Sequence, residues 1–139
     1  MITLNSRTSG KIGEESAEAY LKAKGHRIIT VNYRTYGGEL DIVSVRKGTL
    51  VFTEVKTKSS ALRGAPWEEL DYKKEKALLK AAYWFKKVEC FEGKVPYYIG
   101  KIKLWLKYKD TRFDLAEVFL HRGRVRQIIY TKNVIKTEM

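Results

Sequence analysis

Cysteine is nearly absent: Cys90 is the single one in 139 residues, so no internal disulfide can form. A cysteine-based zinc site lacks its ligands for the same reason. The two histidines, His26 and His121, are too few and too far apart in sequence to suggest a histidine-held zinc. No apolar run approaches the roughly 18 residues of a membrane span. Met1 to Gly10 lacks the basic-then-apolar layout of a signal peptide, so the expected location is the cytoplasm. Ser59 and Ser60 have no nearby His–Asp arrangement, and Gly37-Gly38 lacks the Lys-Ser/Thr ending of a phosphate-binding loop. No repeat, low-complexity tract or Pro/Ser-rich linker divides the chain. One domain over residues 1–139 is expected, with 132–139 as a flexible tail.

Acidic residues are outnumbered. There are 28 Lys+Arg against 16 Asp+Glu, a net charge of +12. In a small domain that excess favours a polyanionic partner, most often nucleic acid; a basic surface meeting an acidic protein is the alternative. Lysines gather at Lys73, Lys74, Lys76, Lys80, Lys86 and Lys87, and arginines at Arg122, Arg124 and Arg126. The first 56 residues carry Glu14, Glu15, Glu18, Glu39, Asp41 and Glu54. A negative patch inside a basic surround suits a metal-using nuclease, in which cations hold phosphates and carboxylates hold the ion.

What is present reads as a mixed α/β chain. Ser9 to Lys24 has helical spacing, with Ser9 as a possible cap and Gly25 as the terminating glycine. His26 to Arg34 reads as a strand, and Tyr36-Gly37-Gly38 as a turn. Glu39 to Arg46 and Thr49 to Lys56 read as strands joined tightly at Lys47-Gly48. The unbroken apolar run Leu50-Val51-Phe52 suggests a strand covered on both faces. Lys58 to Pro66 reads as a loop. Asp71 to about Val88 reads as a helix with Leu78, Leu79, Ala82 and Phe85 on its buried stripe and Ala81 as a further candidate for it. Ile102 to Tyr108 alternates like a strand, Thr111 to Leu120 is apolar-rich, and Val125 to Tyr130 reads as a last strand. The order predicts helices flanking a mixed sheet, not a doubly wound parallel fold.

The chemistry concentrates in Gly38-Glu39-Leu40-Asp41 and Phe52-Thr53-Glu54-Val55-Lys56. Glu54 and Lys56 share a strand face, and a hairpin of this length can set Asp41 near Glu54. Two close carboxylates repel unless a cation joins them. Hard oxygen ligands beside a lysine suit Mg²⁺, with Mn²⁺ as a substitute. Such an ion stabilises an attacking hydroxide and a phosphate oxyanion, so metal-assisted phosphodiester hydrolysis is the expected reaction.

Together with these stretches, Gly10-Lys11-Ile12-Gly13-Glu14-Glu15-Ser16-Ala17, Asn32-Tyr33-Arg34, Gly64-Ala65-Pro66, Lys76 and Arg112-Phe113-Asp114 resemble the YraN-like uncharacterised family. That family groups with the restriction-endonuclease-like PD-(D/E)XK nucleases, alongside archaeal Holliday-junction resolvases. The resemblance covers roughly residues 8 to 88 and resumes at 112 to 118. It departs at two places: the segment before Arg112 looks longer than usual, and Lys58 stands where an arginine is common. The resemblance implies a restriction-endonuclease-like fold with a mixed central β-sheet flanked by α-helices. It implies Asp41 and Glu54 as metal ligands, Glu14 completing the metal shell or positioning water, and Lys56 orienting the water or steadying the phosphate. Lys58, Lys73, Lys76 and Lys80 are the expected nucleic-acid contacts, on DNA, with branched or structured DNA among the candidate substrates. Glu39, two residues from Asp41, could reach the edge of the site or simply contact Arg34. Arg112 and Asp114 are expected as a buried structural pair. A homodimer could form through Trp67, Trp105 or Tyr97-Tyr98, which core packing explains equally well. The alternative to an endonuclease is a non-catalytic nucleic-acid-binding protein on the same fold.

Overall fold

The computed structural model describes residues 6–59 and 70–136. The motif Gly64-Ala65-Pro66 and Trp67 lie outside the described residues.

Helix α1 spans Ser6–Ala23. It begins ahead of the expected cap at Ser9, because no proline or glycine between Ser6 and Ser9 stops it. Its end is as expected. Gly25 has φ +91°, its N–H donates to the Lys22 carbonyl at 3.0 Å, and the His26 N–H donates to the Leu21 carbonyl at 2.9 Å. That pair of bonds is a Schellman closure, which needs a residue at ease in the left-handed region.

Five strands form one sheet in the order β1-β2-β3-β6-β7. They are β1 (Arg27–Thr35), β2 (Gly38–Arg46), β3 (Thr49–Ser59), β6 (Asp110–His121) and β7 (Arg124–Thr131). All neighbours are antiparallel except β3 and β6, which run parallel, so the sheet is mixed. Helix α1 covers one face through Ala17 and Leu21, against Ile42, Ala116, Val118 and Leu120. Helix α2 (Tyr72–Glu89) covers the other through Leu78, Ala81, Ala82 and Phe85, against Val43, Leu50, Phe52 and Leu115. The central strands are therefore buried on both sides, and Leu50, Val51 and Phe52 are all sealed from solvent. Asp71 caps α2, its carboxylate accepting from the Lys74 N–H at 2.8 Å.

Three expectations need correction, and one strand was not anticipated. Leu79 lies off the α2 stripe and is exposed, because the buried positions follow the 78-81-82-85 spacing of one helical face. A strand at Lys94–Ile99, β4, pairs with β5 (Ile102–Lys107) as a separate two-stranded ribbon. Within the tail expected to be flexible at 132–139, Val134 and Ile135 are docked: Ile135 is buried, and the Val134 N–H donates to the Phe113 carbonyl at 2.8 Å, while residues 137–139 lie outside the described residues. Strand β3 runs on through Ser59, so Lys58 sits in the sheet and not in a loop. Among the described residues, no helix is long and apolar enough to cross a membrane.

Candidate active site at the fork between β2 and β3

The β2–β3 ladder is specified by its turn. Lys47 and Gly48 both have positive φ, +48° and +77°, the conformation that suits a tight two-residue hairpin. From there the register runs outward to Ile42 opposite Thr53, where pairing stops. Beyond that point β2 stays with β1 as far as Gly38, and β3 stays with β6 as far as Ser59. The two strands thus part, and Asp41 and Glu54 are the first residues inside the fork. The Val55 N–H, which would otherwise lack a ladder partner, donates to Asp41 Oδ2 at 2.8 Å.

The pleat also resets here. The β1–β2 register passes from Val31–Ile42 to Tyr33–Leu40 without pairing Asn32 to Asp41, and Asn32 has φ +51°. Asparagine tolerates this left-handed conformation better than most residues. Ile42 packs on the α1 side, whereas Leu40, two residues away, packs on the α2 side. Regular alternation would put both on one face. Period-two counting from Asp41 therefore does not fix where Glu39 points. Glu39 comes within 3.9 Å of Arg34 Nε, a loose contact between exposed side chains.

The fork concentrates negative charge. Glu54 is only 6% exposed and Asp41 half-buried. Burial, followed by direct contact with the Glu54 carboxyl, pushes Asp41 up to about 7, while the Val55 N–H opposes the shift. Lys74, reaching in from α2, places its ammonium 2.8 Å from Glu54 Oε2. Burial works against the charge on Lys74, but Glu54, Asp41 and Glu39 outweigh it and hold its pKa above the usual lysine value. Glu14 is raised by burial first and by Asp41 second, with Glu39 adding to this. With its amide nitrogen turned toward the carboxylate, Asn32 donates to Glu14 at 3.2 and 3.3 Å and pulls the other way.

Gly13 is what brings Glu14 this close. A Cβ at Gly13 would sit 2.0 Å from Thr57 Oγ1, so α1 lies directly on β3 at that point. Beside Glu14 opens a groove of about 770 Å³, whose wall includes Arg7, Lys11, Asn32, Arg34 and Glu39.

The structure thus brings Asp41 and Glu54 together, with Glu14 near enough to feel the Asp41 charge but not joined to the pair. Lys56 follows two positions after Glu54 on β3, half-buried. Lys58 is placed differently from expectation. Its ammonium pairs with Glu117 Oε2 at 2.7 Å, with the two side chains 12% and 3% exposed, so a phosphate would have to compete with a buried carboxylate. Lys73, Lys76 and Lys80 are exposed on α2, with Lys76 over the Tyr72 ring and Lys80 over the Tyr36 ring. Arg112 and Asp114 form the expected structural pair: two guanidinium bonds at 2.8 and 3.0 Å, joined by the Tyr130 hydroxyl and the Asn133 N–H. His26 bonds Ser44 Oγ at 2.8 Å, and burial holds it down to about 4, so it stays neutral.

Sequence reasoning gave no site role to Lys74 or Asn32. Lys74 was one lysine among many on a helix distant in sequence. Asn32 carried one usable signal, an asparagine inside a strand pattern, where its tolerance of positive φ matters.

Among the described residues, no three His, Cys, Asp or Glu side chains stand together as a complete ligand set. The donor set nevertheless fits Mg²⁺, which takes one or two carboxylates and keeps several waters. Asp41 and Glu54 in contact, with Asp41 raised by its neighbour, are the pair such an ion would relieve.

Comparison with known proteins places the chain by family. A family model described as Uncharacterised protein family UPF0102 matches residues 13–118. A UPF0102 protein of Alkaliphilus metalliredigens (strain QYMF) is 35% identical over 128 residues, covering 92% of this chain and 97% of the relative. One from Clostridioides difficile (strain 630) is 34% identical over 126 residues, covering 91% and 97%. One from Alkaliphilus oremlandii (strain OhILAs) reaches 48% identity over 73 residues, covering 52% of this chain and 62% of the relative. The matched family region takes in Glu14, Asp41, Glu54 and Lys56, and the chain belongs to the Uncharacterised protein family UPF0102.

Proposed function

We propose that the fork is the active site of a divalent-cation-dependent endonuclease on a restriction-endonuclease-like fold, acting on DNA. The observation that carries this reading is the contact between the Asp41 and Glu54 carboxyls, from two strands, where the sheet opens. The flanked mixed sheet and the resemblance of the motifs around both residues support it.

Asp41 and Glu54 would hold the ion, with Glu14 at the edge of its shell. When bound, Mg²⁺ supplies a positive centre that acidifies a coordinated water and neutralises phosphate oxygens. Glu14, steered by the Asn32 amide, orients the water. Lys56 steadies the charge that develops on the phosphate oxygens. Water oxygen adds to phosphorus and the bond to one ester oxygen breaks, leaving a phosphomonoester and a hydroxyl. Lys73, Lys76 and Lys80 hold flanking phosphates without reading sequence.

One observation favours a second reading, a non-catalytic nucleic-acid-binding protein: Lys74 already neutralises Glu54. Cleavage of labelled branched, single-stranded and duplex DNA with Mn²⁺ or Mg²⁺ separates the two. Cutting by wild type that is lost in Glu54→Ala and Asp41→Ala supports the enzyme. Binding without cutting on every substrate supports the second reading, and equal cutting by all three proteins exposes a contaminant.

A further inference from the structure

The β4–β5 ribbon lies outside the main sheet, and its composition is unusual. Residues 94–109 contain five lysines and no carboxylate. The register sets Lys94 opposite Lys107, Pro96 opposite Trp105 and Tyr98 opposite Lys103. Directly opposed residues in an antiparallel pair share a face, so lysines and aromatic rings alternate on one side of the ribbon. The other side carries Val95 and Leu106, which pack into the core. At its base the ribbon is anchored by Val95 and by Pro96, which is also buried, while toward the Gly100 turn both sides are open, and Tyr98, Lys103 and Trp105 form an exposed group on the lysine–aromatic side. Tyr98 is 57% exposed and Trp105 43%. The Lys103 ammonium stands 4.6 Å from the Trp105 ring centroid, so a flat π surface and a positive charge occupy one spot.

We propose that this face is a docking platform for single-stranded or unpaired nucleic acid, with bases stacked on Trp105 and Tyr98 and phosphates held by Lys103 and Lys107. Stacking suits any base, and the lysines match a backbone charge, which is the chemistry of single-strand binding surfaces. A second copy of the chain is a poor occupant. It would bring Lys94, Lys103 and Lys107 against their own copies, and lysine along an exposed strand edge opposes edge-to-edge pairing.

The platform is separate from the carboxylate fork. Arg27, at the start of β1, lies 5.9 Å from the Tyr97 ring centroid, whereas the fork is flanked by Asn32 farther along that strand. A rise of ~3.3 Å per residue puts the two contacts roughly 15–20 Å apart. A nucleic acid with a paired arm and an unpaired strand could touch both.

The test is binding of a fluorescein-labelled oligothymidylate and of a matched duplex, followed by anisotropy in chelator, where the carboxylate site is silent and hydrolysis plays no part. Trp105→Ala and Tyr98→Ala should each weaken single-strand binding by roughly five- to a hundredfold and leave duplex binding near wild type. Trp105→Phe should keep most of the affinity, which separates loss of the ring from loss of the ribbon. Lys103→Ala and Lys107→Ala should each flatten the dependence of log affinity on log salt by about 0.7. Unchanged single-strand binding by Trp105→Ala overturns the proposal. So does an equal loss on single strand and duplex with no rescue by Trp105→Phe. Trp105-dependent dimerisation, or Trp105-dependent binding to phosphatidylserine vesicles, with unchanged oligonucleotide affinity would assign the face to another partner.

Discussion

Asp41 Oδ2 accepts the Val55 N–H at 2.8 Å, across the place where β2 and β3 cease to pair. One carboxylate oxygen thus finishes a strand, and the group as a whole lies against Glu54. The residue that holds the fork in shape is also the proposed ligand, so its structural and chemical effects must be measured separately.

Lys74 competes with any cation for Glu54. Its ammonium is 2.8 Å from Oε2 and its side chain is 44% exposed. Removing it as Lys74→Ala should tighten Mn²⁺ binding by about two- to fivefold, the size of a partly exposed ion pair. Titration calorimetry reads this without any turnover. If Lys74 then serves the phosphate once the ion has displaced it, cleavage by the same variant falls while its cation affinity rises. Unchanged or weaker Mn²⁺ binding would mean that Lys74 does not stand in the ion's place.

Half-buried Asp41 and buried His26 give opposite pH dependences in the cation-free protein. Asp41 titrates near 7 when folded and near 3.8 when unfolded, so between these values the folded state binds more protons, and stability falls as pH rises. His26 titrates near 4 when folded and near 6.5 when unfolded, so stability rises across that window. Each full proton is worth about 1.4 kcal/mol per pH unit, and over pH of about 4 to 6.5 the two offset each other. Denaturant midpoints in chelator should therefore change little for wild type from these two groups. Asp41→Asn should unmask a rise with pH, and His26→Asn a fall. Parallel profiles for all three proteins would sink this assignment.

These features differ in how far they could be read from residues alone. The hairpin was legible because Lys47-Gly48 sets the register, and counting outward from it sets Asp41 opposite Glu54, one step beyond the last ladder pair. The end of α1 was legible because Gly25 acts locally. Strand β4 was obscured by Pro96, which breaks a strand pattern yet is accepted in a short isolated ribbon. The reset at Asn32 and the reach of Lys74 both depend on tertiary placement. Nothing within a few residues of Lys74 marks it apart from Lys73 or Lys76. The docked end at Val134 and Ile135 depends on Asp114 and Phe113, far back in the chain.

Gly13→Ala tests how closely α1 must approach. The added methyl would meet Thr57 Oγ1 at 2.0 Å, an overpacking that costs about 1–3 kcal/mol. The paired change Thr57→Ala removes the nearest atom and should recover part of that loss. If α1 moves away to relieve the clash, Glu14 moves with it. Mn²⁺ affinity should then fall in the single variant and return in the double one. A single variant as stable as wild type would show that the helix does not need this contact.

A crystal soaked in Mn²⁺ and measured for anomalous scattering addresses the central claim most directly. The expected map has a peak within coordination distance of both the Asp41 and Glu54 carboxylates, with the Lys74 ammonium moved off Glu54. A map with no peak there, and with Lys74 still bonded to Glu54 at saturating Mn²⁺, would contradict a cation site at the fork.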